Sequence, residues 1–540
     1  MATASDGAQP GAGSDSWLHA RLIPTYGIRS QDEQEKRATS CLLAVMHGVP
    51  EFGHALLREL GAPKSPSIDT FAEVRFKNPD GKVDVPDGAI VCQRGTKRWT
   101  CLVEVKTGSA TLKDEQVGRY LDIARDQGFD GVLTISNQIT HSASESPVAV
   151  DGRKLRKTTL WHFSWWRILT EAVVLSRYKG VADSDQAWVL RELIHYLTGQ
   201  ASGVAGFEDM GKDWVPVRTA AHDGTLRSGD PRARQVVERW GQFTEYLCLS
   251  LSQELGRNVV SVRPRKQTTS ARLDESEKAL ATEGDLRATI RVPDAVGDLQ
   301  IRADLKSRQT SLSVDMAAPS EGRPKSRINW LLRQLTEAWP DLRVEVWYPH
   351  ARETVAATLE QARERPEILF SPADTTREPR SFVLTLSRPM GQKRGRDEGS
   401  FVRETREQAV TFYRDLVQNL KPWQARPPQL RPEPAVADSS DPPSPPDLLP
   451  LTPADRMLPA PANGDTPEDD ATNGRVTESP PVGPLQGSMQ GSVLSKSEPR
   501  EPNETPTTTG NAPPPPPPGG ADKNPGGGGE THPPKHGGLG

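Results

Sequence analysis

Two short motifs near residue 100 hold the side chains of this chain that are best suited to chemistry. Pro86-Asp87-Gly88 is followed, seventeen residues after Asp87, by Glu104-Val105-Lys106. Carboxylate oxygens are the hard ligands that Mg²⁺ takes in proteins, where the ion keeps several of its waters. The bound ion polarises a phosphoryl oxygen and acidifies its water, and an amine such as that of Lys106 can orient that water or stabilise charge on phosphorus. The motifs predict a phosphodiester hydrolase that depends on Mg²⁺ or Mn²⁺, with Asp87 and Glu104 as ligands.

The spacing of the motifs indicates how a sheet would bring them together. Glu104 and Lys106 are two residues apart on a predicted strand, so their side chains share one face, while Val105 points into the core. The segment Gly88–Thr100 is long enough for a hairpin that turns at Arg94-Gly95-Thr96. Such a hairpin would carry Asp87 toward Glu104.

Similar motifs elsewhere in the chain show that the two motifs alone are weak evidence for a metal site. Pro79-Asp80-Gly81-Lys82 indicates a turn, and Pro293-Asp294, followed by Asp304-Leu305-Lys306, indicates a structural hairpin. Asp84, in the run Val83-Asp84-Val85, is an alternative to Asp87 as the first ligand.

Residues before and after the motifs strengthen the prediction. Ser30 followed by Glu33 is a capping-box pattern that begins an amphipathic helix. Glu35 falls on the inward stripe of that helix, which is an unusual position for a solvated carboxylate, whereas Glu33 falls on the outer face. Gln116 and Tyr120 are four residues apart on a later predicted helix and can lie together above the Glu104 strand.

With these pieces in this order, residues 17–178 resemble a PD-(D/E)xK nuclease domain of the restriction-endonuclease-like superfamily, in the variety that carries a QxxxY helix. The matching stretches are EKRATSCLLAV from Glu35, PDG from Pro86, LVEVK from Leu102, EQVGRYLDIA from Glu115 and TLWHFSWWRIL from Thr159.

The resemblance implies a role for each matching residue. Asp87 and Glu104 would bind the metal, Lys106 would assist the attacking water, and Glu35 would complete the metal site. Gln116 and Tyr120 would be supporting or DNA-proximal groups. The implied substrate is nucleic acid, DNA in preference to RNA, and by analogy such an architecture fits bacterial restriction, repair or stress defence.

Residues 17–200 are expected to form this domain. The predicted elements are helices from Ser30 and over Phe52–Leu60, strands over Asp69–Phe76, Gly88–Gln93 and Arg98–Val105, a helix over Asp114–Gln127, strands over Gly131–Ser136 and Thr158–Phe163, and helices over Trp165–Arg177 and Gln186–Leu197. The order of helix, three strands, helix and strand predicts an α/β fold, a three-layer αβββαβ core with a mixed sheet.

A second, separate domain of the α+β class is predicted over residues 231–423, after a Gly- and Asp-rich linker at 201–230. It opens with a long helix from Pro231, and its predicted strands are Arg287–Val292, Leu299–Leu305, Ser311–Asp315, Leu342–Trp347 and Ser381–Leu386. No catalytic set is recognisable in it, so its expected role is to select a substrate or partner.

The two ends of the chain are expected to be disordered. Residues 1–16 are small and polar, and residues 424–540 contain no Phe, Trp or Tyr but 28 of the chain's 49 prolines. Such a composition cannot bury enough apolar surface to offset the entropy of ordering. The six consecutive prolines Pro513–Pro518 favour polyproline II, either as a solvated spacer or as a docking segment for a protein partner.

The charge distribution argues against a uniformly basic surface, and the spacing of the cysteines argues against a zinc site. The net charge of −4 divides into −7 over residues 424–540 and +3 over residues 1–423, so nucleic-acid contacts must come from local clusters. One such cluster is Arg153, Lys154, Arg156 and Lys157, which either contacts phosphates or is a solvated loop. The four scattered cysteines argue against zinc. With neither a secretory signal nor a membrane span in sight, we expect a cytoplasmic protein without a membrane partner.

A rival interpretation is that the nuclease fold is kept as a catalytically inactive scaffold. In that case function would lie in partner binding by the second domain or the tail, because two-thirds of the chain carries no chemistry.

Overall fold

The structure is a computed structural model that describes residues 20–77, 81–264, 267–335, 339–351, 354–395 and 397–425. The predicted disordered lead at 1–16 lies outside the described residues, as does the predicted tail from residue 426 onward. The described residues all belong to one contact unit, which ends at Glu433.

A five-stranded sheet organises the first half of the chain. Its strands are β1 (Ser67–Ala72), β4 (Gly88–Arg94), β5 (Lys97–Val105), β6 (Gly131–Ser136) and β7 (Thr159–Ser164), and a separate ribbon is formed by β2 (Phe76–Lys77) and β3 (Val83–Asp84). The order in the sheet is β1-β4-β5-β6-β7. The pairs β1/β4 and β4/β5 are antiparallel, while β5/β6 and β6/β7 are parallel. The predicted mixed sheet is therefore confirmed.

Helices cover both faces of this sheet because its central strands are apolar on both sides. The helices are α1 (Gln31–Gly48), α2 (Pro50–Leu57), α3 (Asp114–Asp126), α4 (Trp165–Val174) and α5 (Ser184–Thr198). Val103 and Val105 of β5 pack into one core with α1, α2, α4 and α5. Leu102, on the opposite face of the same strand, packs with Val117 and Leu121 of α3. The first half is a mixed α/β structure, as predicted.

A seven-stranded antiparallel sheet organises the second half. Its strands are β8 (Val260–Ser261), β9 (Asp285–Arg291), β10 (Leu299–Asp304), β11 (Gln309–Ala317), β12 (Arg343–Trp347), β13 (Val355–Thr358) and β14 (Ser381–Pro389), in the order β13-β12-β14-β11-β10-β9-β8. Along β11 buried and less buried residues alternate, so one face is packed and the other is open. The α+β character of this half is confirmed.

The helices of the second half pack on the inner face of its sheet. They are α6 (Trp214–His222), α7 (Pro231–Leu255), α8 (Thr269–Glu283), α9 (Pro324–Gln334), α10 (Leu359–Glu364) and α11 (Phe401–Asp415). Trp240 and Phe243 of α7 and Phe401 of α11 form an aromatic cluster at the centre of this core.

The segment 201–230, predicted as a linker, carries structure of its own. Phe207, Met210 and Trp214 are buried in the core of the second half, and the last of these begins α6. Only a few large side chains hold this segment in the core, and most of its other residues are of types found in linkers. Its composition therefore did not indicate the helix. The boundary between two domains at this position stays a prediction.

The two halves meet where α4 packs against α7. The rings of Trp166 and Tyr246 lie 5.2 Å apart, and Gln253 Nε2 donates to Thr170 Oγ1 at 2.8 Å. We call this boundary between the two halves, where α4 contacts α7, the seam. Across the described residues, no helix has both the length and the apolar character to cross a membrane.

The motif at Asp294 and Asp304 is structural, as expected. Asp294 has a left-handed φ of 64° in the turn between β9 and β10, and Asp304 accepts from the Ser307 N–H at 2.9 Å in the next turn. Asp80, in the other look-alike motif, lies outside the described residues.

The sheet of the first half leaves no room for a side chain at Gly131. A Cβ there would lie 2.0 Å from the Thr159 carbonyl oxygen and 2.6 Å from the Trp161 ring. We expect Gly131→Ala to lower the free energy of unfolding by about 1–3 kcal/mol, because a packed strand cannot yield without displacing its neighbour. Urea unfolding would measure this. Gly152→Ala, which meets no atom within 4 Å, is the matched control and should change stability little.

Candidate active site

Glu35 reaches the site because α1 begins at a well-defined position. Ser30 Oγ accepts from the Glu33 N–H at 3.2 Å, and Glu33 Oε2 accepts from the Arg29 N–H at 3.0 Å. Glu35 therefore lies in the second turn of α1 and points inward, with only 14% of its side chain exposed. The inward position predicted for Glu35 is confirmed.

Asp87 is held against β5 by the main chain. It lies directly before β4, and its Oδ2 accepts from the Val105 N–H at 2.7 Å. Its carbonyl oxygen accepts from the Glu73 N–H at 2.9 Å. The predicted hairpin forms, with Arg94 paired to Lys97, so β4 and β5 bring Asp87 beside Glu104.

Glu104 is the most deeply buried charged group of the site. Its side chain is 1% exposed, and Lys106 Nζ lies 2.8 Å from Oε1. Oε2 is buried and has no N–H or hydroxyl donor among the described residues. Burying a carboxylate oxygen that accepts no hydrogen bond costs folding free energy, and binding of a cation or a proton lowers that cost.

The pKa values of both carboxyl groups of the site are raised. Burial, and then repulsion from Asp87, raises the pKa of Glu104 to about 7, against the opposing attraction of Lys106. Burial also raises the pKa of Asp87, although the Val105 N–H and Lys106 oppose the rise. Two neighbouring carboxylates thus share an environment that disfavours full ionisation of both.

Lys106 is the cation that partly compensates these carboxylates. Its Nζ lies 3.1 Å from Glu35 Oε2 and 2.8 Å from Glu104 Oε1, and it donates to the Val105 carbonyl oxygen at 2.9 Å. Burial lowers the pKa of Lys106, but the attraction of Glu104, Asp87 and Glu35 outweighs burial and raises it. Lys106 is therefore charged and bridges Glu35 to Glu104.

Contacts that the sequence analysis missed fix the end of β5. Gln31 Nε2 donates to the Thr107 carbonyl oxygen at 2.6 Å and to Glu35 Oε1 at 3.1 Å. Trp165 Nε1 donates to the Lys106 carbonyl oxygen at 2.9 Å. Gln31 lies four residues before Glu35 on the same helical face, and that spacing was the signal available in the sequence.

Gln116 and Tyr120 lie on one face of α3, as expected. Gln116 Nε2 donates to Tyr120 Oη at 3.1 Å, and Tyr120 donates to the Val85 carbonyl oxygen at 3.2 Å. Burial and then the charge of Glu104 raise the pKa of Tyr120 to about 12, so its hydroxyl stays protonated and can donate. These side chains support the segment that leads into Asp87.

The basic loop does not join the carboxylate cluster. Arg153 pairs with Asp151 at 2.7 Å, and Lys154 binds Asp122 and the Gly118 carbonyl oxygen on α3. Arg156 and Lys157 are exposed to solvent. A role of this loop in contacting phosphates stays a prediction.

The alternative carboxylate, Asp84, has a different neighbour. Its Oδ1 pairs with Arg119 Nε at 3.2 Å. Asp87, not Asp84, accepts from the Val105 N–H and interacts with the Glu104 carboxylate. The geometry therefore favours Asp87 as the residue paired with Glu104.

The residues present fit a divalent cation through two carboxylates. Asp87 and Glu104 offer adjacent oxygens, and both oxygens of Glu104 are buried, which suits an ion that takes few protein ligands. Within the described ranges, no group of three or more His, Cys, Asp or Glu side chains is arranged to hold a metal. Glu35 is instead engaged by Lys106, so its role as a third ligand stays a prediction.

No protein-family model matches this chain, and no curated protein matches it.

The raised pKa of Glu104 predicts a specific dependence of stability on pH. A carboxyl group whose pKa is higher in the folded state, about 7 against an ordinary 4.5, stabilises the fold below about pH 4.5. That contribution, roughly 3 kcal/mol, is lost as the pH rises toward 7. We expect Glu104→Gln to remove this loss, so the variant gains stability over the native chain between pH 4.5 and 7.

Urea unfolding of both proteins across this pH range, in metal-free buffer, measures the difference. Glu345→Gln is the matched control, because Glu345 is a strand residue of the second sheet that pairs with Arg343 at the surface. A stability difference between Glu104→Gln and the native chain that does not vary with pH would contradict the assignment.

Proposed function

We propose that this chain is a metal-dependent nuclease that cleaves phosphodiester bonds in nucleic acid, with DNA as its substrate. The observation that carries the proposal is the buried Glu104 carboxylate beside Asp87, with a charged lysine two residues along the strand. Structural ion pairs seldom place two carboxylates side by side in a buried position, because their repulsion is costly unless a further cation is bound.

The arrangement of elements supports the same proposal. The chain order α1, α2, β1, β4, β5, α3 and β6, with the β2/β3 ribbon inserted between β1 and β4, is similar to the αβββαβ order of the PD-(D/E)xK nucleases that the sequence resembles. Glu104 lies on β5, the central strand of the sheet, and Asp87 lies directly before β4, the antiparallel neighbour of β5. Helices α1 and α3 approach the site from opposite faces of the sheet.

In this proposal Asp87 and Glu104 would hold Mg²⁺ or Mn²⁺. Such an ion, when bound, supplies Lewis-acid polarisation of the phosphoryl oxygen and a more acidic water. The Val105 N–H fixes the Asp87 carboxylate, and the packing around Glu104 excludes bulk water from its oxygens.

Lys106 and Glu35 would act as a pair on the substrate side of these carboxylates. Glu35 holds the Lys106 ammonium at 3.1 Å, so the amine is oriented before substrate arrives. An ammonium in this position stabilises negative charge that develops on the phosphoryl group. Gln31, which binds Glu35 Oε1, keeps that carboxylate in place.

Cleavage by the purified full chain tests the proposal. We expect linear and supercoiled DNA to be cut in the presence of Mg²⁺ or Mn²⁺ and to stay intact with EDTA. Glu104→Ala, Asp87→Asn and Lys106→Ala should each lower the cleavage rate by at least about a hundredfold. The first two remove ligands of the metal ion, and the third removes the ammonium that stabilises charge on the phosphoryl group.

The look-alike motif of the second half provides the matched control. Lys306→Ala removes a lysine in the same sequence context, but Lys306 Nζ donates to the Thr282 carbonyl oxygen at 2.7 Å. Its cleavage rate should equal that of the native chain. Equal cutting by Glu104→Ala and the native chain would show that the site is misassigned.

Metal binding separates an active nuclease from an inactive scaffold. We expect titration calorimetry to detect Mn²⁺ binding to the native chain, and Asp87→Asn to weaken it by at least about tenfold, because the neutral amide is a poorer ligand. Asp304→Asn should leave Mn²⁺ affinity unchanged. If the native chain and Asp87→Asn bind Mn²⁺ equally weakly, the scaffold interpretation gains support.

A further inference from the structure

Two arginines of the second half lie together without a carboxylate partner. Arg218 belongs to α6, and Arg308 is the last residue of the turn between β10 and β11. The segment after β14 joins them. The Met390 N–H donates to the Arg308 carbonyl oxygen at 2.8 Å, and Arg218 Nη1 donates to the Gln392 carbonyl oxygen at 2.8 Å. Within the described residues neither guanidinium makes an ion pair. We call these two residues the arginine pair.

Arg218 lies on the buried face of its helix. Trp214, Val217 and Ala221 form the rest of that face. Arg218 itself is only 7% exposed, and its Nε is buried without a hydrogen-bond acceptor. Arginine is seldom buried to this extent unless it is paired. A buried guanidinium without a counter-ion costs folding free energy, and binding of an anion lowers that cost.

Arg308 has an unusual backbone conformation beside Arg218. Its φ of 55° lies in the left-handed region, which favours glycine and asparagine. The residue is half-buried, and its Nε, like that of Arg218, is buried without an acceptor among the described residues. Backbone strain of this kind is concentrated at binding sites and other functional positions. An arginine retained at such a position indicates a use for its guanidinium.

No carboxylate of the described part of the chain neutralises the arginine pair. Burial, and then repulsion from Arg308, lowers the pKa of Arg218, with no carboxylate opposing the change. Acidic residues on neighbouring segments have partners of their own. Asp304, at the other end of the turn that holds Arg308, pairs with Arg302 at 3.3 Å. Asp209, in the segment before α6, pairs with Arg394 at 3.3 Å.

The charge and shape of the arginine pair match a phosphate group. Lys306, in the same turn as Arg308, and Lys393, directly after Gln392, are exposed and add to the local positive potential. Guanidinium groups bind phosphate oxygens through their planar fork of donors. Inorganic phosphate or a phosphate monoester carries up to two negative charges near neutral pH, whereas a carboxylate carries one. One phosphate dianion therefore balances two unpaired arginines.

We propose that Arg218 and Arg308 together bind a phosphate dianion, either free inorganic phosphate or the terminal phosphate of a nucleic-acid strand. The proposal does not depend on nuclease activity, because it uses none of the residues of the carboxylate cluster.

Titration calorimetry on the full chain tests the proposal. The probes are inorganic phosphate, a short single-stranded DNA with a 5′-phosphate and the same DNA without it. All are measured in EDTA, so that metal-bridged phosphate does not contribute, and at matched ionic strength. If free phosphate is the ligand, inorganic phosphate binds and the two DNAs do not differ. If a terminal phosphate is the ligand, the phosphorylated DNA binds at least about tenfold more tightly.

Substitutions of the arginine pair identify the site. Arg308→Asn removes the guanidinium and keeps a residue that tolerates the left-handed φ, so it should fold and weaken phosphate binding by about tenfold or more. Arg308→Lys keeps the charge without the planar fork, and its affinity should lie between those of Arg308→Asn and the native chain. Arg218→Gln should weaken binding to a similar extent.

Arg58→Gln is the matched control, because Arg58 is exposed and lies after α2 in the first half. It removes the same charge and should leave the phosphate affinity unchanged. In thermal unfolding, phosphate should raise the Tm of the native chain and of Arg58→Gln by more than that of Arg308→Asn. The proposal is overturned if neither inorganic phosphate nor the phosphorylated DNA binds at about 10 mM. It is equally overturned if Arg308→Asn binds as tightly as the native chain.

Discussion

Two buried carboxylates that share one ammonium are the constraint on which the first half of the structure depends. Lys106 and the Val105 N–H offset part of the repulsion between Asp87 and Glu104, which lie side by side. This arrangement requires β4 and β5 to be adjacent and in register. It also requires α1 to begin at a position that brings Glu35 to Lys106. Elements that are far apart in the chain are thus tied to one small group of charges.

Most of the sheet around the site was predictable from the sequence, and the reason is physical. β6 has the predicted bounds, Gly131–Ser136, because it is a short apolar run between turn residues and is buried on both faces. The turn at Gly95 was predictable because that residue adopts a positive φ, 58°, which few other residues tolerate. Capping chemistry likewise located the start of α1.

The parts that the sequence did not reveal depend on long-range contacts. Helix α8 buries only Leu280, so it has no apolar stripe to find. α6 follows from single anchors such as Trp214. In the site, the inward direction of Glu35 followed from helical periodicity. Its pairing with Lys106 did not, because two residues 71 positions apart meet only after the sheet and α1 have packed.

The seam joins the halves through side chains that belong to neither sheet. Asn137 Nδ2 donates to the Gly108 carbonyl oxygen at 3.1 Å, two residues beyond Lys106, and to that of Gly203 at 2.8 Å. The next residue, Gln138, lines a cavity of about 450 Å³ together with Gln242 of α7. A short path of hydrogen bonds thus connects the end of β5 with the contact between the halves.

The bond between Asp87 and the Val105 main chain has a consequence for how the protein can change over time. Every amino acid except proline carries a peptide N–H, so the anchor of this carboxylate does not depend on which side chain occupies position 105. That side chain faces the apolar core beneath α1. Substitutions can therefore change the packing of this core over evolution while the Asp87 carboxylate keeps its alignment. The residues of the core and the residues of the site can then vary independently at this position.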